Sequence, residues 1–237
     1  MKSIIEQLKQ SILQLEGYKP NLNTSPAIRP FQYAFPGNVF PLGALHELTC
    51  RSTEDFVVTI SFIAGLLSRL SEQQGICLWI ADKLNGFPPA LKLHGLEPDK
   101  FIFIESSNNK EQLWLMEEAL KCEHLTAVVG EIKNIDFTAS RRLQLVVEQS
   151  RVNGFILRNN IQTLNTIACI ARWKITALPG IVKNDLPGVG FPQWNVELLK
   201  VRNGKPQSWQ VAWMNGNFSN IQADVYTITQ ERMYKVG

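Results

Sequence analysis

The sequence predicts an α/β fold, a mainly parallel sheet flanked by helices and extended by antiparallel strands near the C-terminus. Three observations lead there. After Gly43, short apolar runs alternate with amphipathic stretches of helical period. Those runs are almost continuously apolar, as strands covered on both faces must be. Past Trp173 the intervening helices stop, and Asn203-Gly204 stands between two further runs as a hairpin signal.

Taken in order, Met1 to Gly17 reads as a helix, with Ile4, Ile5, Leu8, Ile12 and Leu15 at helical spacing and Gly17 as its stop. From Tyr18 to Gly43 the chain carries Pro20, Pro26, Pro30, Pro36 and Pro41, which forbids regular helix and suggests an extended linker. Strands are expected at Ala44 to Thr49, Ile76 to Ala81, Phe101 to Glu105, Thr126 to Gly130 and Gly154 to Arg158. Helices are expected between them at Asp55 to Gln73, Pro88 to His94, Asn109 to Cys122 and Thr138 to Ser150. Strands separated by helices pair in parallel through right-handed crossovers. Asn159 to about Ala171 repeats Ile161, Leu164, Ile167 and Ile170 at helical spacing and reads as a further helix. Trp173 to Leu178, Trp194 to Val201 and Ser208 to Met214 follow as antiparallel strands. The expected organisation is an N-terminal helix (1–17), a Pro-rich linker (18–43), a core domain (44–214) and a C-terminal tail (215–237).

Composition narrows the classes of function. The longest nearly apolar run, Phe56 to Leu67, is broken by Thr59 and Ser61 and is shorter than the roughly 20 residues that span a bilayer. Glu6 and Lys9 interrupt any secretory signal after Met1, so a cytoplasmic protein without membrane contact is expected. Cys50, Cys77, Cys122 and Cys169 form no CxxC pair, which argues against structural zinc and against a disulfide framework. The formal charge of +3 is unevenly spread: residues 133–205 hold 11 basic and 4 acidic side chains, whereas 1–132 are net acidic. A solvated basic face is the plain reading, and guidance toward nucleic acid or an acidic partner is the functional one.

In an open parallel sheet, phosphate sits at the turn after the first strand, on the amides opening the next helix. Here that turn reads Thr49-Cys50-Arg51-Ser52-Thr53-Glu54-Asp55-Phe56. A phosphate loop of the form GxxxxGK[ST] needs glycines to curl around phosphate, a lysine to neutralise it and a hydroxyl to hold magnesium. This turn has no glycine and no lysine. Glu54 and Asp55 place two negative charges at the helix start, where they favour the helix dipole and repel phosphate. Arg51, Ser52, Thr53, Glu54, Asp55 and Phe56 therefore form a degenerate phosphate loop, read as a plain helix cap. No catalytic residue, cofactor or metal is expected.

The stretch Pro41-Leu-Gly-Ala-Leu-His-Glu-Leu, then Leu78-Trp-Ile-Ala-Asp, Trp114-Leu-Met-Glu-Glu-Ala-Leu and Ala127-Val-Val-Gly-Glu, resembles the ImuA family, a RecA-like branch that is not recombinase. The match continues through Thr138-Ala-Ser-Arg-Arg-Leu-Gln-Leu, its most specific segment, Gly154-Phe-Ile-Leu-Arg, Arg172-Trp-Lys and Val196-Glu-Leu-Leu-Lys-Val-Arg, over about residues 36–214. The resemblance implies a RecA-like core and a damage-inducible (SOS) accessory factor of mutagenic translesion synthesis. It implies as partners ImuB, a degenerate Y-family polymerase relative, and an error-prone C-family replicative polymerase, with RecA a further candidate. A SulA-like cell-division inhibitor sharing the core is the alternative from that resemblance, and a residual nucleotide-binding ATPase is the enzymatic one. Against an active RecA-like core, Phe56 falls at the phosphate lysine and Val57 at the magnesium hydroxyl. Asp82, in Ala81-Asp82-Lys83, is the acid nearest the catalytic glutamate's place, and Gly130 with Glu131 after it stands at the magnesium-associated aspartate.

Candidate contacts for a partner or for DNA are Arg141, Arg142, Arg158, Arg172, Lys174, Trp209 and Trp213. Adjacent arginines on a helix point about 100° apart, so Arg141 and Arg142 cannot share one small ligand. A surface role is their plain reading, protein contact the functional one. Weak, salt-sensitive DNA contact would run through Lys133, Arg158, Arg172, Lys174 and Lys183. Trp209, Val211 and Trp213 share one strand face, which reads as sheet core or as an exposed aromatic binding edge. The N-terminal helix is read either as a cap on its own domain or as packing on a neighbouring subunit.

Overall fold

The computed structural model describes residues 28–70, 75–83, 91–181 and 190–221. The expected helix over Met1 to Gly17 and the first three residues of the Pro88 to His94 helix lie outside them; of the latter, a 3-10 turn at Lys92–His94 is described. In chain order come β1 (Leu45–Thr49), α1 (Thr53–Leu70), β2 (Ile76–Ala81), β3 (Phe101–Glu105), α2 (Asn109–Leu120), β4 (Leu125–Glu131) and α3 (Phe137–Ser150). Then follow β5 (Asn153–Arg158), β6 (Ala171–Ile181), β7 (Phe191–Val201), β8 (Gln207–Met214) and β9 (Asn217–Asn220). The described strands make one sheet in the order β3-β2-β4-β5-β1-β6-β7-β8-β9. Pairing is parallel from β3 through β6 and antiparallel from β6 through β9. The fold class read from the sequence is thus the observed one.

Each element follows from its residues. β1 lies between β5 and β6, is buried at all five positions and is the middle strand of the nine in the sheet. α1 buries Thr59, Phe62, Ile63, Leu66, Leu67 and Leu70 on one side, with Glu54 and Asp55 in its first turn and Arg69 in its last, each matched to the helix dipole. Asn108 caps α2 by accepting from the Lys110 amide, and Asp136 caps α3 by accepting from the Ala139 amide at 2.7 Å. α3 ends where Arg151 turns left-handed at φ +66°, against Gly43 at φ +59°; a Cβ on Gly43 would lie 2.8 Å from the Arg151 Cα, so only glycine fits. One sheet face packs on α1 around Phe62, Trp79, Trp173 and Trp194. The other packs on α2 and α3 around Leu45, Ile80, Met116, Leu143 and Ile156.

Three expectations are corrected. The described part of the Pro-rich stretch is not an extended linker: Ile28, Phe31, Ala34, Phe35 and Phe40 are buried in the core, held by two 3-10 turns at Phe31–Ala34 and Pro36–Asn38. Proline forbids long helix but not compact turns, and the aromatic residues between the prolines supply the driving force for packing. Residues 159–170 form no helix. They carry the chain back from the end of β5 to the start of β6, and Ile167, Ala168, Cys169 and Ile170 are buried consecutively, serving both core clusters as a helix face cannot. The Ser140 hydroxyl under α3 accepts from the Ala168 amide at 2.9 Å and fixes that path. Finally, the sheet continues past Met214, because β9 pairs with β8 and Phe218 joins the aromatic core.

Candidate functional site

The carboxyl ends of the parallel strands meet at the turn between β1 and α1, the place where an open α/β sheet receives a ligand. The chain closes that turn on itself. Ser52 Oγ accepts from the Asp55 amide at 3.1 Å, and Asp55 Oδ2 accepts from the Arg51 amide at 3.3 Å, a reciprocal pattern akin to a capping box. The Cys50 amide donates to the Arg158 carbonyl and the Ile161 amide to the Cys50 carbonyl, stitching the turn to the end of β5. Cys50 is fully buried, its thiol 3.3 Å from Thr59 Oγ1, and burial pushes it up to about 11. The Cys50, Arg51 and Asp55 amides are thus occupied by the chain's own acceptors.

Beside the turn lies a cleft of about 310 Å³, lined by Phe56, Asp82, Lys83, Glu131, Lys133, Leu157 and Asn159. Asp82 is held by Lys133 Nζ at 3.1 Å. Glu131 Oε1 accepts from Trp79 Nε1 at 2.9 Å, and burial raises its carboxyl above the usual carboxylate range. Both acids are engaged by protein groups, and the Phe56 ring occupies a wall of the cleft.

A second charged constellation lies between β1, β5 and β6, which the sequence reading did not foresee. Glu47, fully buried on β1, accepts from Arg158 Nη1 at 2.8 Å and from Arg172 Nε at 2.5 Å. Asn165 joins them: its Oδ1 accepts from Arg158, its carbonyl accepts from Arg172, and its Nδ2 donates to the Ile135 carbonyl. Cys169 packs 3.8 Å from Glu47, and burial, then the Glu47 charge, push its thiol up to about 12. Arg158 Nε is buried with no acceptor among the described residues. Glu47 and Arg158 are opposite charges inside two apolar strands, and the parallel pairing of β1 with β5 is what brings them together.

The candidate contacts are therefore dispersed. Arg158 and Arg172 side chains are 5% and 11% exposed and bound to Glu47, so they are not the surface contacts expected of them. Lys174 pairs with Glu197 at 2.7 Å. Arg141 is exposed, and Arg142 reaches Glu117 on α2 at 3.4 Å. Trp213 is buried and Trp209 half-buried against Phe31 and Trp173, so the late tryptophans are sheet core. Lys183 lies outside the described residues.

No family model matches the chain. It is 32% identical to Protein ImuA of Caulobacter vibrioides, from strains NA1000 / CB15N and ATCC 19089 alike, over 187 residues that cover 74% of this chain and 77% of the relative. Among solved structures, a KaiC-like protein of Pyrococcus horikoshii OT3 superposes at a TM-score of 0.53 and 11% identity, covering 83% of this chain and 97% of that one. SulA from Pseudomonas aeruginosa matches 48% of this chain and 97% of its own at 21% identity, with a TM-score of 0.42. The first of these two supports the fold alone, and the second is too distant to carry an argument.

Proposed function

Because this chain belongs to the ImuA family, we propose that it serves DNA-damage-induced mutagenesis in the cytoplasm as a non-catalytic accessory protein, an adaptor between other proteins. The observation that carries the second half of this reading is the β1–α1 turn. Asp55 takes the Arg51 amide and Ser52 takes the Asp55 amide, while Phe56 stands where a phosphate-binding lysine would be needed. A triphosphate there would meet the Glu54 and Asp55 carboxylates, and dipole-favoured acids at a helix start repel anions. General-base chemistry is equally unsupported, since Asp82 is bound to Lys133 and Glu131 to Trp79. The partners that fit this reading are a degenerate Y-family polymerase subunit and an error-prone C-family polymerase.

Two measurements test it. Mixed at micromolar concentration, the chain and the Y-family-like subunit should co-elute in size-exclusion chromatography with or without DNA, and separate elution would remove the adaptor reading. Titration with ATP and magnesium in a calorimeter should give no saturable heat. Tight binding abolished by Arg51→Ala or Asp82→Asn would replace the adaptor with a nucleotide-dependent protein.

A further inference from the structure

We propose that the outward face of α2 and α3 pairs with the same face of a second copy of this chain. The two helices lie side by side over one face of the sheet and run in the same direction, because each links two parallel strands. α2 buries Gln112, Met116 and Leu120 and turns Trp114 and Glu118 outward, one helical turn apart, with Trp114 59% exposed. α3 buries Ser140, Leu143, Gln144 and Val147 and carries on its exposed side a ridge at spacing four: Phe137, 55% exposed, then Arg141, then Leu145, 49% exposed. Arg141 has no ion-pair partner among the described residues, and Glu118 has Lys121 of its own helix at 2.6 Å, an exposed pair of little net worth. The single acid of α3, Glu148, is drawn instead to Gln144 and Arg202. One helix thus presents an indole and a carboxylate, and the other a guanidinium between two apolar side chains.

The two ridges match in height. Arg142 reaches Glu117 at 3.4 Å, which sets those two residues level across the helix pair. Measured from that level, Trp114 falls midway between Phe137 and Arg141, and Glu118 midway between Arg141 and Leu145. Each is two residues, or about 3 Å of helix, from the height of its counterparts. A two-fold axis along the helices lays α2 of one copy over α3 of the other in the same direction, and the reverse contact follows by symmetry. Trp114 then enters between Phe137 and Arg141 of the second copy, ring against guanidinium. Glu118 enters between Arg141 and Leu145 of the second copy, carboxylate against guanidinium. Charge selects the occupant. The carboxylate ridge and the cationic ridge of one face complement each other, so the surface fits its own copy, whereas a uniformly acidic or basic partner meets repulsion on one half of it. Tryptophan and arginine are also the side chains in which binding energy concentrates. These few side chains fall short of the roughly 20 to 30 residues a side of a standard interface, so the dimer should be reversible at micromolar concentration.

The test is sedimentation equilibrium of the full chain from about 1 to about 200 μM. The weight-average mass should climb from one chain toward two, and iodide should lose access to Trp114 over the same range. Trp114→Ala should weaken association about tenfold or more. Arg141→Glu and Glu118→Arg, each alone, bring like charges together at both symmetric contacts and should leave a monomer. An equimolar mixture of those two variants should recover the dimer, because each then meets an opposite charge at both contacts. All three positions are exposed, and recovery in the mixture shows that neither charge variant has lost its fold. A chain that stays monomeric across the range overturns the proposal. So does a dimer indifferent to the charge reversals, and so do variants of unchanged circular dichroism that stay apart when mixed. Coverage of Trp114 by the polymerase-like subunit without self-association would assign the face to that subunit and end the self-pairing. The pairing is separate from the adaptor reading, and loss of either leaves the other standing.

Discussion

Single side chains set the chemistry of this protein, and Glu47 is the most exacting. It is a fully buried carboxylate neutralised by two arginines from neighbouring strands. Glu47→Gln leaves Arg158 and Arg172 without a counter-charge, and removing one member of a buried ionic set costs about 3–5 kcal/mol. Differential scanning calorimetry should show a large fall in Tm, while Asp82→Asn, which disrupts only the exposed bond to Lys133, should leave Tm nearly unchanged. His46 and His94 bring a pH dependence. His46 Nδ1 accepts from Trp173 Nε1, so its proton sits on Nε2 toward the Pro41 carbonyl; burial lowers the ring to about 4. Burial lowers His94 to about 4 as well. Unfolded, both titrate near ~6.5. As pH falls from about 6.5 to about 4, the unfolded chain takes up protons that the folded chain refuses, so stability is full above this window and declines through it. Urea midpoints measured at several pH values should show that decline, and His94→Gln, which keeps a hydrogen-bonding side chain toward Ser61, should make it shallower. The degenerate turn was legible at this scale because it is a contiguous string. The Glu47 cluster was not, because it joins residues 111 and 125 positions apart.

Elements were read well wherever periodicity was sustained. Strands β1 to β5 and helices α1, α2 and α3 fall within a few residues of expectation, since both-face burial and amphipathic spacing are local signals. The crossover over 159–170 was misread because Ile161, Leu164, Ile167 and Ile170 imitate a helix face, while the real constraint is the distance from the end of β5 to the start of β6. Within α1, Gly65 shows how packing overrides propensity. A Cβ there would come within 2.9 Å of the Phe218 ring and 3.2 Å of Trp213. Gly65→Ala should therefore destabilise by roughly 1–3 kcal/mol through overpacking, despite the ~1 kcal/mol that alanine favours in a helix. A chemical unfolding curve with a higher midpoint than the unchanged chain would show that β8 and β9 yield instead.

At the scale of the whole molecule, residues 28–44, ahead of β1, belong to the domain. Phe31 makes edge-on contacts with Phe62, Trp173, Trp209 and Phe218, binding the Pro-rich segment, α1 and the late strands into one core. Phe31→Ala should cost about 3–5 kcal/mol, and a chain beginning at Leu42 should aggregate, both readable from denaturation midpoints and light scattering. The sequence hid this because turns rich in proline resemble linkers until their aromatic residues are seen to be buried. No described helix is long and apolar enough to cross a membrane. The distribution of indoles has a practical outcome. Trp79, Trp173, Trp194 and Trp213 are sealed in the core, whereas Trp114 on α2 is 59% open to solvent. Iodide should consequently extinguish a minority, red-shifted share of the emission and leave a blue-shifted majority, so that any partner lying across α2 announces itself optically without a label.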